Sequence, residues 1–219
     1  MKLRKSEIIS LVIVIISLII GIYFYPLMPE KVASHWNAKG EVDGYMSKFG
    51  GLFLMPVISL VLLLLFIIIP KIDPLKHNIE KFRKYFDGFI VLMMLFLFYL
   101  YILTILWNIG VRFNFVHLLV PIFSIFFYYC GILIQKAQRN WFIGIRTPWT
   151  LSNEQVWNKT HKIGGILFKI AGIISLIGIL NNVYCWIFNY VSLLILIFIF
   201  PPISTTLFYT KLMFTTSRY

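Results

Sequence analysis

Two short stretches hold most of the side chains that could do chemistry. The first, Met28 to Gly50, sets His35, Trp36 and Asn37 ahead of Gly40, Glu41, Asp43, Gly44 and Tyr45. The second, Arg139 to Gly165, holds Arg146, Glu154 and His161 among Trp141, Trp149 and Trp157. His35 with Glu41 or Asp43 has donor types that bind metals but no ligand spacing, so no metal is expected there. Nucleophilic catalysis needs a nucleophile beside a base. Neither stretch sets such a pair, so the reading is non-enzymatic, with no catalytic residue and no cofactor. Recognition is the chemistry left to them.

In the first stretch the charges cancel, Glu30, Glu41 and Asp43 against Lys31, Lys39 and Lys48. The runs from Asn37 to Gly40 and Asp43-Gly44 are turn signals, because Gly takes positive φ at low cost. Two readings stay open: an outward-facing recognition element, or a compact cap whose His and Trp pack on the membrane face.

In the second stretch Ser152 reads as an N-cap, with Gln155 three residues on as its capping-box partner. Leu151 and Val156 sit where a hydrophobic staple would place them. A short helix is expected from about Asn153, with Glu154 in its first turn favoured by the helix dipole. Glu154, Trp157, Asn158 and His161 then fall on one face. Arg146-Thr147-Pro148-Trp149 is an extended lead-in. Either this loop is a binding surface using Arg146, Glu154 and His161, or Arg146 pairs with Glu154 and ties the loop to the bundle. A further segment, opened by Asp73 and Pro74, carries an apolar stripe of Ile72, Leu75, Ile79, Phe82 and Phe86. Lys76, His77, Lys81, Arg83 and Lys84 fill its other side. It is expected to lie on the membrane surface, drawn by anionic lipid.

The elements that hold these stretches follow from composition. Of 219 residues, 60% are hydrophobic and 13% charged, where a soluble domain carries about 25% charged residues. Mean hydropathy is +0.87. Six apolar runs approach the roughly 20 residues needed to span a bilayer. They are Ile8–Tyr25, Phe49–Ile69, Gly88–Trp107, Phe115–Ile134, Ile163–Leu180 and Tyr184 to about Tyr209. The expected fold is therefore an all-α membrane bundle of about six transmembrane helices. The formal charge of +12 lies in short gaps between apolar runs. That is the positive-inside pattern, and direct nucleic-acid binding is not expected. With the N-terminus inside, 15 Lys and Arg fall inside and 4 outside. An N-in, C-in orientation follows. Cys130 and Cys185 then sit near opposite membrane faces, too far apart for a disulfide. No acid lies in mid-span, whereas proton-coupled transporters place acids there. Lys169, within the fifth run, is expected to snorkel inward. Gly165, Gly172, Ser175 and Gly178 offer small positions for close helix packing.

His35-Trp36-Asn37, Gly40, Asp43-Gly44-Tyr45, Lys48 and Pro56 resemble the outer-loop signature of a widespread N-terminal membrane domain of unassigned function. Asn140, Ile143-Gly144-Ile145-Arg146-Thr147-Pro148-Trp149, Leu151, Asn153, Trp157 and His161 resemble the inner-loop signature of the SdpI family, to which that domain is commonly fused. The resemblance divides the chain into residues 1–70, two helices with the outer loop, and residues 71–219, a four-helix core with the inner loops. It implies a multi-pass protein of the cell membrane that gives immunity to, or senses, a secreted membrane-active peptide toxin. It also implies a small repressor as an inner partner. The alternative class is a small-solute transporter or channel. The residues do not decide oligomeric state or the identity of a toxin.

Overall fold

An apolar run in hydrocarbon must satisfy its own backbone, and the helix does so within one segment. Five long helices form on the first five runs in a computed structural model that describes residues 3–37 and 39–180. They are α1 (Lys5–Phe24), α2 (Lys48–Ile72), α4 (Arg83–Asn108), α5 (Phe115–Lys136) and α7 (Glu154–Leu180). All five are long and apolar enough to cross a membrane. Two short helices sit in the connections, α3 (Lys76–Lys81) and α6 (Pro148–Ser152). The sixth expected span, from Tyr184 to about Tyr209, lies outside the described residues, as do Cys185, Lys211 and Arg218.

Small and polar residues line the inward face of α1, and its apolar residues point outward. α1 buries Glu7, Ser10, Val14, Ser17 and Gly21, one face at helical spacing. Its Ile8, Ile15, Ile19 and Ile22 are exposed. Small residues let neighbouring backbones approach where lipid is as apolar as any side chain. The same device joins α5 to α7. A Cβ on Gly165 would lie 2.6 Å from the Gly131 carbonyl oxygen, and one on Gly172 would lie 2.6 Å from that of Ser124. Lys169 does more than snorkel: its Nζ donates to Gln135 Oε1 at 2.5 Å, a cross-link between α7 and α5.

The main apolar cluster among the described residues gathers Val14, Leu63, Ile79, Phe82, Phe86, Ile90, Met94, Leu133 and Trp157. Ile79, Phe82 and Phe86 belong to the stripe expected on the membrane surface. They are 0–1% exposed, so the stripe closes the bundle instead. Only Ile72 keeps an exposed side chain at 58%. The reason is a break at Phe82, which turns the chain from α3 into α4 and folds the stripe inward.

At that end the first turns of α1 and α4 share a charge network. Arg83 donates to Glu7 Oε1 at 3.1 Å and to Asp87 Oδ1 at 2.8 Å. Arg4 Nε donates to Asp87 Oδ2 at 2.9 Å.

The connection between α1 and α2 is a two-stranded antiparallel hairpin, β1 (Lys31–Trp36) with β2 (Val42–Ser47). The turn signal at Asn37 to Gly40 anticipates the reversal, whereas Asp43-Gly44, also expected to turn, lies within β2, and the strands themselves lack a long apolar alternation. The hairpin caps one end of the bundle, and the loops around α3 and α6 cap the other.

Candidate functional sites at the two ends of the bundle

The hairpin gathers every residue expected in the outer loop. Asn37 builds the turn: its Oδ1 accepts from the Lys39 and Glu41 amides at 2.9 and 3.0 Å. Its Nδ2 donates to Glu41 Oε2 at 2.9 Å. Gly40 follows at φ +82°, a conformation that favours glycine. His35 pairs with Gly44 across the strands, and a Cβ at Gly44 would lie 2.8 Å from that of His35. The His35 imidazole hydrogen-bonds Asp43 through Nδ1. That dyad is exposed, and so is Tyr45 at 63%. Among the described residues no group of three His, Cys, Asp or Glu could hold a metal ion.

Trp36 takes the opposite role. Its ring stacks on Phe115 at 3.9 Å between centroids and meets Trp107 edge-on at 5.9 Å. Thus Trp36 packs down, as the cap reading expects, while His35, Asp43 and Tyr45 are exposed. A further residue, Asn108 at the end of α4, fastens the hairpin. Its Oδ1 accepts from the Ala33 amide at 2.8 Å and its Nδ2 donates to the Ala33 carbonyl at 3.0 Å. One side chain so replaces a neighbouring strand for Ala33. No sequence motif marks Asn108, because its partner lies 75 residues away.

At the opposite end the loop after α5 is organised by buried polar groups. Asn140 is fully buried. It accepts from the Phe142 and Ile143 amides at 2.9 and 2.6 Å and donates to the Gln138 and Ile143 carbonyls at 2.8 Å. Asp73 caps the turn before α3 and also accepts from the Trp141 amide at 2.9 Å. Asn78 donates to the Arg139 carbonyl at 2.8 Å. Asp73 and Asn78 thus anchor a loop some 60 residues downstream, a role their own neighbourhood does not reveal.

The expected inner-loop residues then separate. Trp157 is 0% exposed and donates from its indole to the Ala137 carbonyl at 2.8 Å. His161, 2% exposed, stacks on it at 3.8 Å. Its Nδ1 donates to the Trp157 carbonyl at 2.8 Å and its Nε2 accepts from the Ile145 amide at 3.0 Å. These partners define a neutral tautomer with the proton on Nδ1. Gly144 lies against this ring at φ +119°, where a Cβ would come within 2.4 Å of Nε2. His161 therefore holds the loop and does not face a ligand. Glu154 and Asn158, on the same helix, are exposed. The face that sequence spacing draws as one is half buried and half in the open.

Three local expectations are corrected. Ser152 is not an N-cap; its hydroxyl donates to the Trp149 carbonyl at 3.1 Å. Thr147 caps α6, with Pro148 in the first turn and Thr150 closing the box. Asn153 caps α7, accepting from the Gln155 and Val156 amides at 2.8 and 3.1 Å. The helix from Glu154 is not a short separate piece, since it continues through the fifth span to Leu180. Nor does Arg146 pair with Glu154. Its guanidinium donates to the Trp141 carbonyl at 2.8 Å, while Trp149 stays half-buried in α6.

Five hydrophobic helices among the described residues, capped at both ends by folded connections, define a multi-pass helical membrane protein. Residues 136–210 match the SdpI/YfhL protein family, and residues 12–60 match a domain of unknown function, DUF1648. Over residues 136–210 the chain is similar to the SdpI family. It is 27% identical to "Immunity protein SdpI" of Bacillus subtilis (strain 168) over 210 residues, which is 95% of this chain and 98% of that one. No solved structure matches it.

Proposed function

We propose that this chain is an immunity-type protein of the cell membrane, protecting its host from a secreted, membrane-active peptide. The observation that carries the reading is the similarity, over 95% of this chain and 98% of that one, to a protein described as an immunity protein. The geometry is compatible with it. Hairpin residues His35, Asp43 and Tyr45 present polar and amphipathic groups at one end of the bundle. Tyrosine favours the interfacial depth at which membrane-active peptides bury their apolar faces. In this reading the hairpin faces outward and meets the peptide. Glu154 and Asn158, exposed at the opposite end, are the contact for a small cytoplasmic repressor.

Expression in a toxin-sensitive host tests this. Survival rises with the wild-type chain against a panel of membrane-active peptides. The combined variant His35→Ala, Asp43→Ala, Tyr45→Ala loses the gain while still inserting, because insertion depends on the helices. Full protection with those three side chains removed rejects the hairpin as the contact. Absence of protection across the panel, with solute flux in liposomes, replaces immunity by transport.

A further inference from the structure

A cleft of about 380 Å³ opens at the basic end of the bundle, between α2, α4, α5 and α7. Its volume falls in the range of small-ligand sites, about 300–1,000 Å³. Phe66, Phe89, Leu133, Ile134 and Phe168 supply most of the wall. The last wall is the loop from Phe142 to Arg146, the segment fixed from behind by Asn140, Gly144 and His161. Among the described residues Arg146 is the one charged residue in the lining. It uses one guanidinium bond on the Trp141 carbonyl, and guanidinium carries five donors in a planar fork. Lys71 and Lys136 follow the lining residues Ile69 and Ile134 by two positions, so further positive charge stands at the same end.

We propose that this cleft binds an anionic phospholipid, with an acyl chain along the Phe and Leu wall and the phosphate on Arg146. The chemistry selects this occupant. A polar solute would leave its hydrogen-bonding groups unpaired against aromatic rings, which is costly. An inserted peptide would bring backbone amides and carbonyls that the lining cannot satisfy. A hydrocarbon chain has no such groups, and one anionic head matches one guanidinium. The buried polar framework of the loop then has a purpose. It holds Arg146 at the rim while Ile143 and Ile145 turn inward.

Native mass spectrometry of the full chain, released from micelles with equal phosphatidylglycerol and phosphatidylcholine, tests the assignment. The two lipids share their acyl chains and differ in net charge. Wild type retains phosphatidylglycerol about tenfold better, as expected for one charged hydrogen bond. Arg146→Gln reduces the preference to near unity, and Arg146→Lys keeps most of it. Ile134→Trp, which fills the cleft, lowers retention of both lipids. Ile69→Phe does the same more mildly, in case the larger residue disturbs folding; circular dichroism and monodispersity report on both. Equal retention of the two lipids by wild type overturns the proposal. So does an intact preference in Arg146→Gln, or undiminished lipid binding in folded Ile134→Trp and Ile69→Phe.

Discussion

At the scale of residues, the inner loop shows how neighbouring polar side chains divide the work. Ser152 and Asn153 are both good capping types, and only one can stand at the boundary before Glu154. Asn153 does, because its Oδ1 reaches two free amides of α7, while Ser152 closes the last turn of α6. Asn153→Ala should therefore cost about 1 kcal/mol of stability, and Ser152→Ala should stay within about 0.5 kcal/mol. Unfolding of the purified variants in graded denaturing detergent measures both. An equal loss from the two substitutions contradicts the assignment of the cap.

At the scale of elements, α1 and α4 meet through a charge cluster rather than through apolar side chains alone. Arg83 is 6% exposed and lies between Glu7 and Asp87. Removing one member of a buried ion pair strands its partner, at a cost of about 3–5 kcal/mol. Arg83→Ala should thus destabilise the bundle far more than Lys84→Ala, whose side chain is exposed. Thermal inactivation in detergent compares them, and similar midpoints for the two variants count against the network as a fastening. The hairpin is tied by different means. Asn108 bonds both backbone groups of Ala33, and Trp36 stacks on Phe115. Each end of the molecule is thus held by a few polar side chains of remote sequence origin.

At the scale of the whole molecule, the five described helices run so that the hairpin and the 110–114 turn share one end. The α3 and α6 connections share the other. Lys and Arg concentrate at the second end, and the positive-inside bias assigns it to the cytoplasm. Single cysteines at positions 39 and 112 should react with an impermeant maleimide in intact cells. Cysteines at 81 and 159 should react only after permeabilisation. Labelling at 159 in intact cells reverses the orientation, and with it the side from which a peptide reaches the hairpin.

What the sequence determined by itself is the class of protein and the place of the five described spans. Apolar runs of bilayer length admit one local solution, a helix, and they need no partner to specify it. The same holds for the turn at Asn37 to Gly40, whose chemistry is complete within five residues. The signature residues of both loops could also be named, but not their roles. Trp157 and His161 turn inward while Glu154 stays exposed, because burial depends on where Ala137 and Ile145 lie across from α7. Asp73, Asn78 and Asn108 find partners more than 60 residues away, and the stripe from Ile79 to Phe86 finds the bundle rather than the membrane surface. An amphipathic pattern states that one face is apolar. Only the tertiary structure decides whether lipid or protein covers it, since both are apolar and the sequence pattern is the same for each.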